Sequence, residues 1–136
     1  MKIKVENTIN APIEKVWEAY TEPQHIINWN FASDDWFCPT AETDLKPGGK
    51  YRARMEAKDG SFGFDFEAVF DEIQPEKKLV YTIADGRKVS TSFQSEKEKT
   101  HVITEFEAEN HNPAEMQRDG WQAILDNFKK YMENDF

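Results

Sequence analysis

The sequence is 136 residues long, with a formal charge of −9 and a pI near 4.8. The length suits a single domain over 1–136 whose core stands without staples, and the acidity argues against non-specific binding to nucleic acid or to an anionic membrane. One cysteine, Cys38, excludes an intrachain disulfide. With no apolar run approaching about 18 residues and no signal-like start, a cytoplasmic protein without integral membrane association is expected.

Residues 2–10 alternate, Ile3, Val5, Asn7 and Ile9 against Lys4, Glu6, Thr8 and Asn10, which predicts a strand with one buried face. Pro12 opens a short helix with Ile13, Val16, Trp17 and Tyr20 at helical spacing, and Pro23 opens a second. Residues 28–40 have no period. They crowd Trp29, Phe31, Trp36 and Phe37 around Asp34 and Asp35, and read as an aromatic loop that packs on the domain or caps an apolar opening. A short strand from Thr40 to Leu45 and a turn at Lys46-Pro47-Gly48-Gly49 follow. Tyr51, Ala53, Met55 and Ala57 form the buried face of the next strand, closed by an Asp59-Gly60 hairpin signal. Phe62, Phe64 and Phe66 continue the alternation. Beyond them Val69 and Ile73 are odd and Phe70 even, so a bulge is expected near Ala68. Three more buried faces complete the strands: Leu79, Tyr81 and Ile83; Val89, Thr91 and Phe93; and Val102, Thr104, Phe106 and Ala108.

The stretch from Asn112 to Glu133 has the period of a helix. On a wheel of about 100° per residue, Ala114, Gln117, Trp121, Ile124, Leu125, Phe128 and Met132 form one stripe, with charged residues behind. Asn112 suits the N-cap and Pro113 the first turn. A helix of roughly 30 Å with one apolar stripe needs a large apolar surface beneath it. Strand, two short helices, six antiparallel strands and one long helix have one simple solution, an α+β domain whose curved sheet wraps the helix. A curved sheet and a straight helix seldom meet everywhere, so a pocket between them is expected.

The order of motifs resembles the START-like, helix-grip (SRPBCC) superfamily shared with the birch pollen allergen. Within it the chain is similar to the AHSA-type branch, named for the activator of the heat-shock chaperone ATPase. The matching pieces are Ile9 to Trp17, Trp29 after a Pro-led helix, Asp44 to Gly49, Ile73 to Thr82, and Gly120-Trp121 with Leu125. Ala68 departs from the pattern, since relatives often carry glycine there. The resemblance implies the helix-grip fold. For function it implies either a hydrophobic-ligand cavity or a chaperone-associated interaction module, because one fold hosts many activities.

Few residues offer reaction chemistry. His25, His101 and His111 do not share metal-ligand spacing, and Cys38 lies beside acidic residues that disfavour a thiolate. Asp34-Asp35 reads as a solvated loop tip. No catalytic residue, metal or cofactor is assigned. The aromatic set is the candidate site. Tyr51, Phe64, Tyr81, Phe93, Phe106, Trp121 and Leu125 should face the helix–sheet gap, with the hydroxyls of Thr91 and Thr104 among them. Trp29, Trp36 and Phe37 should close its mouth. Such a site would bind a small hydrophobic or amphipathic molecule. The alternatives are a protein partner such as a chaperone, and a cyclase- or hydrolase-like enzyme using the same pocket. Gly120, costing a helix about 1 kcal/mol, is expected where a neighbouring strand or loop comes close.

Overall fold

The computed structural model describes residues 1–134. Within them, β1 (Lys2–Ile9) leads to α1 (Ile13–Thr21) and α2 (Pro23–Ile26). Six strands follow: β2 (Trp36–Thr43), β3 (Lys50–Ala57), β4 (Gly63–Gln74), β5 (Lys78–Ile83), β6 (Lys88–Glu96) and β7 (Lys99–Glu107). The last element is α3 (Ala114–Asn134). The sheet is antiparallel in the order β1-β7-β6-β5-β4-β3-β2, so β1 closes one edge and β2 the other. Helices α1 and α2 carry the chain between those two edges. This is the α+β helix-grip architecture expected from the sequence.

Alternation decides what the sheet buries. Val89, Thr91 and Phe93 of β6 pair with Phe106, Thr104 and Val102 of β7, and all six are buried on the concave face. Helix α3 lies over that face beside β1. Its stripe divides in two. Leu125, Phe128 and Met132 in the C-terminal half are buried, whereas Ala114, Gln117, Trp121 and Ile124 are only half-buried. Phe128 is wholly enclosed, with Trp29 edge-on at 4.9 Å and Tyr20 edge-on at 5.3 Å.

Four local expectations change. The aperiodic stretch 28–40 is not all loop, since β2 begins at Trp36 and ends at Thr43 rather than Leu45. A register shift between Phe37 and Thr40 hides its period, and Pro39, which cannot donate to a ladder, sits inside that irregularity. The bulge in β4 falls between Phe70 and Glu72, not at Ala68. Ala68 and Phe70 keep the inward phase of Phe66, and Val69 is exposed. Asn112 turns its side-chain amide to Glu109 rather than capping α3, while the Gln117 amide binds back to the carbonyls of Asn112 and Glu109. At the 44–49 turn, a Cβ on Gly49 would lie 2.0 Å from the Asp44 carbonyl oxygen, so only glycine fits.

Candidate functional site

Where the N-terminal half of α3 leaves the sheet, a partly enclosed cavity of about 230 Å³ remains. Trp121, Ile124 and Leu125 of α3 form its roof. The floor is Tyr51 and Met55 of β3, Phe64 and Phe66 of β4, and Tyr81 of β5. Tyr20 of α1, with Trp29 and Asn30 after α2, closes the inner end. Outside it lies a more open hollow of about 380 Å³ rimmed by Phe31, Trp36, Met116 and Gly120. Met55, Phe64, Arg87, Trp121 and Ile124 wall both spaces, so the hollow is the antechamber of the cavity.

The expected residues separate into three groups. Trp29, Tyr51, Phe64, Tyr81, Thr104, Trp121 and Leu125 line the cavity. Trp36 lines the antechamber. Thr91, Phe93, Phe106 and Phe37 line neither space. Thr91 is buried behind the wall and bonded through Oγ1 to Thr104 Oγ1 at 3.0 Å. Phe93 is wedged edge-on against Trp17 and Tyr20. Phe106 is covered by the Trp121 ring, stacked at 4.3 Å and 14°. Phe37 pairs with Glu56, and paired residues of an antiparallel ladder share a face, so it lies on the outer surface of the sheet. Trp29 is an anchor rather than a gate. It is buried, its Nε1 donates to the Ala19 carbonyl at 2.9 Å, and its own carbonyl accepts from Asn127 Nδ2 at 2.8 Å.

Seven lining residues lie outside the expected set: Val5, Met55, Phe66 and Ile124, which alternation or the helix stripe already turns inward, and Tyr20, Asn30 and Arg87. Tyr20 was read as helix core, and it does pack, stacked on Trp29 at 5.1 Å. Asn30 carried no signal. Arg87 did carry one: Val89, Thr91 and Phe93 face inward, and the same odd phase continued back one step to the end of the hairpin turn places Arg87 inward. Gly120 was expected against a neighbouring element. Instead its Cβ would meet open space, and its missing side chain widens the antechamber.

The polar groups of the inner wall are neutral. Tyr51, Phe66 and Tyr81 form a cluster of rings about one another, with Tyr51 and Tyr81 edge-on at 5.6 Å. Burial holds the Tyr51 phenol far above its usual range, and proximity to Tyr20 and Cys38 adds to it. Burial also raises Tyr81, with Tyr20 and Tyr51 adding to it. Tyr20 is raised by burial and eased by hydrogen bonds to Thr91 and Thr104. Cys38 is pushed up to about 11, chiefly by burial, and its Sγ donates to the Thr40 carbonyl at 3.4 Å. Among the described residues the buried Asn30 amide nitrogen makes no well-formed hydrogen bond, although its side chain lies close enough to the Cys38 thiol to lower that group's pKa. An inner wall of this kind is suited to apolar surface with an occasional polar group.

A strongly curved antiparallel sheet gripping one long helix across such a cavity defines a helix-grip domain of the START-like superfamily. The chain belongs to the family of activator of Hsp90 ATPase homolog 1-like proteins, whose family model matches residues 10–133. The solution structure of the AHSA1-like protein from Aeromonas hydrophila is 44% identical, with a TM-score of 0.92 over 98% of this chain and 92% of that one. A Cytophaga hutchinsonii protein is 48% identical, with a TM-score of 0.84 over 98% and 93%. A Nitrosomonas europaea protein at 17% identity shares the fold, with a TM-score of 0.85 over 99% and 96%. No curated protein matches the chain at a significant level. No helix among the described residues is long and apolar enough to cross a membrane.

Proposed function

We propose that the protein binds a small hydrophobic or amphipathic molecule between the sheet and α3. The observation that carries this reading is the partly enclosed aromatic cavity of about 230 Å³. An apolar cavity of about 150 Å³ already takes benzene, so this one accommodates a larger ring system or a short chain. Burying roughly 200 Å² of apolar ligand surface contributes about 5 kcal/mol before the cost of association. The inner hydroxyls orient a polar substituent. The cavity wall is chiefly phenols, hydroxyls and apolar side chains, with no histidine or carboxylate lining it among the described residues, which favours binding over a cyclase- or hydrolase-like role.

The test is native mass spectrometry of protein purified from its source, together with titration by an environment-sensitive apolar dye. A retained small molecule, or saturable dye binding displaced by it, supports the reading. A clean apo mass with no dye binding overturns it. A chaperone-associated module is the second reading, favoured by the exposed rings at the mouth. Phe62 is 61% exposed and packs with Trp36 and Phe64 at 6.0 and 6.1 Å. With a collapsed cavity, that patch would be the site left to explain.

A further inference from the structure

The geometry points to a polarity in this cavity: Arg87 makes its outer end a receptor for an anionic head, so the ligand is a monoanionic amphiphile such as an aryl or alkyl carboxylate. This rests on the cavity reading above. Arg87 is the only charged residue lining the cavity among the described residues, and it stands where the cavity meets the antechamber. Its side chain is 22% exposed, against 52% for the Asp85 carboxylate beside it, so the cation is the more sheltered partner. A sheltered charge is screened less by salt than a surface one.

The guanidinium is held in place with donors to spare. Nε donates to Asp85 Oδ2 at 2.8 Å and Nη1 donates to the Glu107 carbonyl at 3.1 Å. Of the five N–H groups of an arginine, those two contacts use two. Both Nη2 protons and one on Nη1 make no hydrogen bond among the described residues. Such a fork suits a carboxylate or sulfonate. A ligand lying with its body among Tyr51, Phe66 and Trp121 would leave its head at the shared wall, beside Arg87. Two anions oppose this. Asp85 already shares the charge, and Glu109 lines the antechamber with its carboxylate accepting from Asn112. The Glu107 carboxylate is engaged by the Lys88 backbone N–H at 2.6 Å.

The test compares two dyes with the same aromatic body, anilinonaphthalene sulfonate and uncharged phenylnaphthylamine, by fluorescence titration of the full chain. The wild type is expected to bind the sulfonate about tenfold more tightly, the scale of one charge-assisted hydrogen-bond pair. Arg87→Gln should abolish that preference, bringing the affinities for the two dyes within about twofold of each other whatever the variant does to both in common. Arg87→Lys, which keeps the charge without the fork, should retain part of it, and Glu109→Gln should enlarge it. Thermal melts establish that each variant is folded. Equal binding of the two dyes by the wild type, or a preference that survives in a folded Arg87→Gln variant, overturns the anion assignment alone. Failure of both dyes to bind overturns the cavity reading and this inference with it.

Discussion

Paired truncations in α3 test whether its two halves do different work. Phe128 is fully enclosed, with Trp29 and Tyr20 edge-on against it. Phe128→Ala leaves a new void, for which about 3–5 kcal/mol is usual, and the two ring contacts place it near the upper end. Trp121 is half-buried, stacked on Phe106, and faces a space that already exists. Half of the roughly 200 Å² a buried Trp covers, at about 25 cal/mol per Å², gives 2–3 kcal/mol with no fresh cavity to add. At this length each kcal/mol lowers Tm by about 3–4 °C. Phe128→Ala should therefore melt about 6–8 °C below Trp121→Ala, while Trp121→Ala should lose most dye binding. The assays are thermal and urea denaturation with dye titration. Equal destabilisation, or a larger loss at Trp121, would refute the reasoning, because it would mean that the space beneath Trp121 is filled core in solution.

Gly120→Ala should raise stability by about 0.5–1 kcal/mol, since a Cβ there meets open space and helix propensity improves, and a lowered urea midpoint would contradict this. Amide exchange should be fast at residues 32–35 and slow at Asn30, whose backbone N–H donates to the Ile26 carbonyl at 3.0 Å; equal protection at Asn30 and across 32–35 would remove any mobile gate. Trp36→Ala should speed ligand release more than it lowers Tm, as its rim position implies, and an unchanged off-rate would count against that placement. Cys38 should stay unreactive toward alkylating agents at neutral pH, with its pKa pushed up to about 11. Its folded pKa lies above the ordinary 9.0, so the stability it contributes is complete below pH 9 and is lost as pH rises toward 11. The raised phenols of Tyr20, Tyr51 and Tyr81 act in the same direction above about pH 10. The urea midpoint should fall across that range, with the tyrosinate absorbance of Tyr20, Tyr51 and Tyr81 appearing only on unfolding.

What could be read from the residues was whatever period 2 or period 3.6 controls. The strands β3, β5, β6 and β7 and the stripe of α3 follow from alternation alone, and Tyr51, Tyr81 and Thr104 came to the cavity with them. The failures occur where the period breaks. Pro39 and the shift between Phe37 and Thr40 concealed β2, so Phe37 was assigned to the mouth although its ladder partner Glu56 puts it outside. The β4 bulge was misplaced because Val69, apolar but exposed, was given the inward phase. Thr91, Phe93 and Phe106 do face the concave side, as expected. Alternation cannot say which inward residues reach open space and which lie beneath a covering ring, because that depends on how far α3 stands from each strand.

That standoff also sets where cavity volume and stability compete in this fold. The C-terminal half of α3 closes on α1, β1 and Trp29, and Leu125, Phe128 and Met132 there are buried. The N-terminal half is tied to the chain before it by the Gln117 amide, which accepts from the Glu109 backbone N–H and donates to the Asn112 carbonyl. The helix is thus fixed at both ends while its middle bridges a gap. An apolar space of this size, lined by aromatic rings that could have packed on one another, forfeits dispersion contacts. The fold tolerates that loss because Phe128 and its buried neighbours anchor the C-terminal half while the Gln117 contacts tie down the other end. Side chains that shrink the gap should therefore stabilise the protein and impair binding together, whereas those that loosen the C-terminal half should lose both.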